Sequence, residues 1–430
     1  MSAPLNIAVA GLGTVGAGVV RLLSANAESL ERRCGRRLKL VAISARDRGK
    51  DRGVDLSGVR WFDDPVAMAK AKGVDVVVEL IGGANGVARA VVEAAIKAGR
   101  DVVTANKALL AHHGFELASA AERKGVQLAF EAAVAGGIPI IKALREGLAG
   151  NRVSRVYGIL NGTCNYILTE MRRSGRDFAD VLAEAQAKGY AEADPSFDVD
   201  GVDAAHKLAV LAAVAFGARV NFKAVHVEGI RHVSALDIAF ADELGFRIKL
   251  LGLARRTDAG IEQRVHPCLV RLGTPIAHVE GVFNAVVAEG DFVGQAVFQG
   301  RGAGQGPTAS AVASDLVDIA RGSKVPTFSV PVAALDAGKP LPMTRHVGAY
   351  YIRLMVTDRP GVIADVTAAF RDAEISLESM LQRSRDPKEA VPVVLVTHET
   401  RESSMRRALA KIAALDTVQE PPRVIRIEEP

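Results

Sequence analysis

Apolar positions in the first third of this 430-residue chain follow two alternating patterns. Residues 5–10, 38–43 and 74–81 are short, nearly unbroken apolar runs rich in Val and Ile, the signature of buried parallel strands. Between them apolar residues recur at helical spacing, first Val19, Val20, Leu22 and Leu23, then Val87, Val91, Val92 and Ile96. A further strand is predicted at residues 101–104. Strands alternating with helices indicate a doubly wound parallel sheet. The middle of the chain carries a more apolar helix pattern through Leu208, Val210, Leu211 and Val214. Residues 322–348 are rich in Pro and Gly and read as strand ends and a linker. From residue 349 the pattern becomes strand (351–356), turn (357–361), helix (Val362, Ile363, Val366, Ala369, Phe370), strands (375–380 and 391–397), helix (405–412) and strand (424–427). That βαββαβ order predicts a separate small module, with few contacts crossing the linker.

The glycines add chemistry to this frame. Gly11, Leu12, Gly13, Thr14, Val15 and Gly16 follow the first strand directly and open the first helix. A dinucleotide pyrophosphate requires that order: the glycines allow a tight turn and close backbone approach, and the helix N-terminus faces the phosphates. The second strand ends in Ser44-Ala45-Arg46-Asp47. Arg46 suits the 2′-phosphate of NADP and Asp47 a free ribose hydroxyl, so NADP is favoured and NAD stays open. Gly82, Gly83, Asn106 and Lys107 fall at the carboxyl ends of later strands, where open parallel sheets bind ligands.

Residues 189–207, GYAEADPSFDVDGVDAAHK, place Glu192, Asp194, Asp198, Asp200 and Asp203 just ahead of Lys207. Pro195 and Gly201 punctuate the acids, which puts them on loops and a helix N-terminus. Asp203 and Lys207 share one helical face. Such a site can grip an ammonium group and hold a lysine beside a reacting atom; a solvated acidic loop with one ion pair is the alternative. Burial or a cationic neighbour lowers a lysine from its usual pKa of about 10.4, which makes it a competent general acid.

Six segments together resemble homoserine dehydrogenase: the glycine loop, Thr104-Ala105-Asn106-Lys107, residues 130–139 (FEAAVAGGIP), residues 161–166 (NGTCNY), residues 189–207, and Gly302-Ala303-Gly304 with Pro307-Thr308-Ala309-Ser310. They occur in the family's order over roughly residues 5–320. The resemblance implies reversible, NAD(P)-dependent interconversion of L-aspartate 4-semialdehyde and L-homoserine, a step in threonine, methionine and isoleucine biosynthesis. It implies an α/β fold with a Rossmann-type nucleotide-binding domain (1–130, completed by about 302–321) and an α+β catalytic and dimerisation domain (131–301). By resemblance Lys207 is the proton donor and Lys107 lies between cofactor and substrate. Glu192 and Asp203 hold the substrate, Asp198 supports the lysines, and Gly189 and Gly304 lie near the cofactor. Asp194 and Asp200 are left as solvated or structural. Glu131, Val134, Gly136 and Ile138 would supply oxygens to a monovalent cation such as sodium, since hard cations take oxygen ligands; a glycine-rich hinge is the other reading. Residues 349–430, with the Asp358-Arg359-Pro360-Gly361 turn, look like an ACT regulatory domain, although Glu374 stands where Asn or Asp is usual. Amino-acid feedback follows, most simply by L-threonine, bound between paired modules of a homodimer or dimer of dimers.

Composition narrows the alternatives. The net charge of +5 is modest and no basic stripe carries interleaved aromatics, so no nucleic-acid partner is expected. The three cysteines, Cys34, Cys164 and Cys268, lack paired spacing, which argues against disulfides and zinc and fits a reducing compartment. No apolar run reaches the roughly 20 residues of a membrane span, and no basic segment precedes the first strand, so a cytoplasmic protein is expected. Two rival functions remain. Cys164 could be the nucleophile of a phosphorylating semialdehyde dehydrogenase, though no histidine follows at a suitable spacing. A catalytically silent amino-acid sensor would keep the same fold.

Overall fold

The computed structural model describes residues 3–383 and 390–429. Six strands, β1 (Leu5–Ala10), β2 (Leu38–Ser44), β3 (Arg60–Trp61), β4 (Val76–Glu79), β5 (Asp101–Thr104) and β6 (Leu128–Ala129), form a parallel sheet in the order β3-β2-β1-β4-β5-β6. Alternate side chains feed two cores. Ile7, Val9, Val76 and Val78 pack with Val19, Val20 and Leu23 of the helix Thr14–Ala25. Ala8, Ala10, Val77 and Val102 face Val91 and Val92 of the helix Val87–Lys97 and Leu109 of the helix Lys107–Lys124. The strand order reverses direction between β1 and β4, and a crevice opens at their carboxyl ends. The helix Gln305–Arg321 returns to this sheet, adding Ala309, Val312 and Leu316 to the first core. Gly18 admits it: a Cβ there would lie 2.6 Å from Gln305 Cγ.

The second sheet is built from β7 (Val153–Ile159), β8 (His226–Val227), β9 (Phe246–Thr257), β10 (Gly260–Arg271), β11 (Phe283–Gly290), β12 (Gly294–Arg301), β13 (Val347–Thr357), β14 (Leu377–Gln382), β15 (Ala390–Thr397), β16 (Thr400–Arg401) and β17 (Arg423–Glu428). Its main path runs β12-β11-β7-β9-β10-β17-β13-β15-β14, with β8 on β10 and β16 on β13. The C-terminal segment has the expected βαββαβ order, with helices Val362–Asp372 and Glu402–Ala413 on one face.

One expectation is overturned here. The Pro- and Gly-rich stretch at 322–348 does not isolate the C-terminal module, because β17 lies parallel to β10 and joins the two sheets into one. The cause is the unpaired backbone that β17 and β10 would otherwise present as edges. Ion pairs seal the junction: Arg353 Nε to Asp237 Oδ1 at 2.7 Å, Arg264 Nη1 to Glu428 Oε1 at 2.8 Å, and Arg426 Nη1 to Glu228 Oε2 at 2.8 Å. Among the described residues, no helix is long and apolar enough to cross a membrane.

Candidate active site

A cleft of about 450 Å³ opens between the two sheets, with Lys107, Asn161, Asp198, Asp203 and Lys207 on its walls. Lys207 lies on the helix Val202–Phe216, which is apolar around almost its whole circumference and therefore buried. Its charged residues must then find partners inside the protein. Lys207 Nζ donates to Asp203 Oδ2 at 2.6 Å and to the Leu160 carbonyl at 2.7 Å. Asp203 Oδ1 lies 3.0 Å from Lys107 Nζ, so one carboxylate joins both lysines. Burial pushes the Lys207 ammonium below the usual lysine pKa; Asp203 opposes this and Lys107 reinforces it. Burial would raise the Asp203 carboxyl, but Lys207 and Lys107 outweigh it and keep Asp203 ionised.

Lys107 is the first residue of the helix Lys107–Lys124, capped by Asn106, whose Oδ1 accepts from Leu109 N at 3.0 Å. Glu79 fixes this corner. Its Oε1 accepts from Ile81 N and Gly82 N at 2.7 and 3.0 Å, and its Oε2 from Thr104 Oγ1 at 2.6 Å. Asn161 orders the other wall. Its Oδ1 caps the helix Gly162–Ser174 through Cys164 N, and its Nδ2 donates to Asp198 Oδ1 at 2.7 Å and Asp203 Oδ2 at 2.8 Å. Burial raises the Asp198 carboxyl, and Asn161 counters that. Neither Glu79 nor Asn161 was given a role from sequence, although Glu79 ends a buried strand and Asn161 opens the 161–166 motif.

The glycine loop is shaped for backbone approach. Gly11 has φ 97°, and a Cβ there would meet Leu80 O at 2.6 Å; one at Gly16 would meet Gly11 O at 2.2 Å. Space beside Gly13 is open. Neither the helix starting at Thr14 nor the helix starting at Gln305, preceded by Gly304, has a side-chain cap, and Gln305 Nε2 ties them by donating to Thr14 O at 3.0 Å. Leu12 O accepts from Arg52 Nε at 3.0 Å, and Val15 packs at the edge of the first core. Arg46 is exposed past the end of β2. Arg48 and Arg52 stand over Trp61 at 5.8 and 5.6 Å beside it.

The acidic block divides. Asp198 and Asp203 line the cleft with Gly189 and Gly304, whereas Glu192 is exposed and outside the lining. Asp194 accepts from Ser196 N at 3.0 Å, and Asp200 pairs with Arg231, both consistent with structural use. Glu131 is buried, its carboxylate accepting from Ile141 N and Lys142 N at 2.9 Å each. Burial and the nearby Asp315 push it up to about 7. Ala135 and Gly136 are both left-handed, with φ 57° and 45°, turning the backbone between Val134 and Ile138.

Three family models match this chain: "Homoserine dehydrogenase, NAD binding domain" over residues 11–131, "Homoserine dehydrogenase" over 139–317, and "ACT domain" over 350–417. A homoserine dehydrogenase of Neisseria gonorrhoeae is 46% identical over 431 residues, covering 99% of each chain, and one of Pseudomonas aeruginosa is 47% identical over 435 residues with the same coverage. The chain belongs to the homoserine dehydrogenase family. A solved homoserine dehydrogenase from Thiobacillus denitrificans superposes with a TM-score of 0.94 at 47% identity, over 99% of this chain and 98% of that one. A hyperthermophilic archaeal homoserine dehydrogenase in complex with NADPH superposes at 0.64 with 27% identity, over 75% of this chain and 99% of that one. The chain is thus an oxidoreductase acting on a CH–OH group, with a nicotinamide-binding domain and an ACT domain for amino-acid regulation. The rival use of Cys164 fails in a homoserine dehydrogenase. The thiol is fully buried, and burial together with Asp198 pushes its pKa well up, away from a reactive thiolate.

Proposed function

We propose that the cleft reduces L-aspartate 4-semialdehyde to L-homoserine, reversibly, with NADPH preferred over NADH. The observation that carries this is Asp203 held between Lys207 and Lys107 on the cleft wall. The uncapped helix starts at Thr14 and Gln305, with Gly11, Gly13, Gly16, Gly189 and Gly304, fit a dinucleotide, and Arg46 fits its 2′-phosphate. A reduced nicotinamide held by these residues would supply the hydride that the aldehyde carbon accepts. Lys207 donates a proton to the developing alkoxide oxygen, and in the reverse direction takes it back as base. Asp203 holds Lys207 in place and keeps Lys107 beside the reacting end. Asp198, held by Asn161, receives the substrate's ammonium group. Glu192 takes part only if residues 189–195 fold over bound substrate.

The loop 131–138 suits a monovalent cation such as sodium. Among the described residues, no donor meets the main-chain oxygens of Val134 or Gly136. The left-handed pair at Ala135 and Gly136 turns successive carbonyls; the Ile138 carbonyl accepts from Ile140 N at 2.7 Å and would offer only its second lone pair. Sodium raising the melting temperature above that in choline chloride tests this site. We read residues 1–130 with 302–321 as the nucleotide domain, 131–301 as catalytic, 322–348 as linker and 349–430 as the ACT domain. L-threonine is the proposed effector. A homodimer or dimer of dimers would cover β12 and its turn, where Phe292 is 89% exposed and Val297 42%. Free, buried cysteines suit a reducing cytoplasm. Loss of NADPH absorbance on adding aspartate semialdehyde, abolished in Lys207→Met, tests the assignment; no loss in the intact protein refutes it.

A further inference from the structure

The junction of the two sheets contains a second cavity, of about 310 Å³, remote from the cleft. Its floor is an unusual piece of sheet. Arg155 on β7 and Arg255 on β9 are direct cross-strand neighbours, and Arg264 on β10 lies on the same face. Like charges directly opposite are destabilising unless an anion lies between them. Glu428 cannot serve all three. It is held by Arg264 at 2.8 Å and by Arg155 at 3.2 Å; Glu289, opposite Arg155 on β11, lies 3.7 Å from it, and Glu262 faces Arg255 from β10, yet Arg255 has no carboxylate at ion-pair distance among the described residues. The opposite wall has the reverse excess. Glu378 on β14 and Glu399 in the turn after β15 are exposed, and neither has an ion-pair partner among the described residues. His346, 6% exposed, lines the cavity with an Nε2 that meets no hydrogen-bond partner, and the buried Arg264 Nε makes no hydrogen bond, its nearest carboxylate being Glu262 at 4.0 Å.

We infer that this cavity binds a small zwitterionic α-amino acid, its carboxylate against Arg155 and Arg255 and its ammonium against Glu399 or Glu378. The inference rests on the proposed amino-acid regulation and gives it a place: the seam between the ACT module and the catalytic sheet, within one chain, away from the Asp358–Gly361 turn. A mixed lining selects a zwitterion over a simple anion or cation, which would leave one wall unmatched. The cavity suits a small ligand. It also has a short route to the chemistry. From Arg155, β7 runs five residues to Leu160, roughly 16 Å at strand rise, and the Leu160 carbonyl accepts from Lys207 Nζ at 2.7 Å. A ligand that shifts β7 therefore shifts the proton donor.

The test is calorimetric titration of the full-length protein with L-threonine, L-serine, L-isoleucine and L-methionine, and with inorganic phosphate as the anion control. The proteins are wild type, Arg255→Ala and Glu399→Gln, two exposed positions outside the catalytic cleft. The expected result is that at least one amino acid binds wild type and binds each variant roughly 10- to 100-fold more weakly, while uninhibited kcat stays the same. Another amino acid binding in place of threonine, weakened in both variants, would remove threonine and keep the site. Threonine binding both variants with wild-type affinity would overturn the site and keep threonine. No heat from any amino acid, or heat from phosphate alone, overturns the zwitterion site. A changed oligomeric state with unchanged affinity makes the seam a subunit contact and also overturns it.

Discussion

Replacing Lys207 with methionine keeps much of the side-chain volume and removes the ammonium group. Lys207 is 8% exposed, and its ammonium makes two short hydrogen bonds, to Asp203 and Leu160 O. A positioned general acid contributes about 10²- to 10⁴-fold in rate, or about 3–5 kcal/mol of barrier. The cost to folding should be smaller. Asp203 keeps Lys107 at 3.0 Å and Asn161 Nδ2 at 2.8 Å, so the buried carboxylate is not stranded, and a loss of roughly 1–3 kcal/mol is expected. Single-turnover oxidation of NADPH by aspartate semialdehyde measures the first quantity and urea unfolding the second; NADPH affinity by fluorescence should not change. The pH profile carries a sign. Reduction needs Lys207 protonated, so its rate falls as pH rises through the folded pKa, which burial sets below the ordinary value near 10.4. Homoserine oxidation needs the free amine and rises through the same pKa. The methionine variant should lose both limbs. Turnover within threefold of wild type, or an intact alkaline limb in a slowed variant, would mean that another group moves the proton.

Arg46→Ala should weaken NADPH more than NADH in binding assays; equal losses would return Arg46 to solvent and shift attention to Arg48. Arg353→Met removes the cation from Asp237, 1% exposed, leaving it the hydroxyls of Tyr351 and Ser234, and should cost about 3 kcal/mol in urea unfolding, far more than an exposed ion pair would. Deleting residues 349–430 uncovers the β10 edge and takes the arginines from Glu228 and Asp237, so loss of soluble enzyme is expected; an active, monodisperse truncation would show that the modules fold independently. His206 is held neutral by burial beside His112 and Phe222, its pKa lowered to about 4. Its contribution is complete above pH 6.5 and lost as pH falls toward 4, so His206→Phe should flatten stability over that window by roughly 2–3 kcal/mol.

The parallel sheet was legible because buried strands and amphipathic helices differ in period, and because a glycine loop between them has few other uses. The pairing of Asp203 with Lys207 was legible for the same local reason, an i,i+4 spacing on one helix. Contacts made across the chain were not. Nothing near Asn161 in sequence shows that it will bridge Asp198 and Asp203, and nothing near Glu79 shows that it will tie Gly82 to Thr104. Glu192 shows the converse: its place in the acidic block is clear, yet it is exposed and does not line the cleft. The junction of β10 with β17 was the largest surprise. Pro and Gly at 322–348 do mark a change of module, but composition says nothing about where the last strand, 75 residues beyond residue 348, will find its hydrogen bonds.

That junction changes what regulation has to explain. Two modules joined by a flexible linker could communicate only through rearranged subunits. Here β7, β9, β10, β17 and β13 are consecutive strands of one sheet, so a displacement at β13 reaches β7 through paired backbone. Sheets transmit such shifts because each strand's register is fixed on both sides by hydrogen bonds and by buried side chains. The helix Val202–Phe216 packs on that sheet, with Lys207, the proposed proton donor, bonded to the residue that follows β7. Effector and substrate would then compete over the position of one carbonyl, Leu160 O. The coupling need be only about 1–3 kcal/mol to matter, the strength of one charge-assisted hydrogen bond. A loss of inhibition in Arg255→Ala with unchanged kcat would show the sheet carrying the signal, whereas inhibition that vanishes only when subunits dissociate would place it between chains.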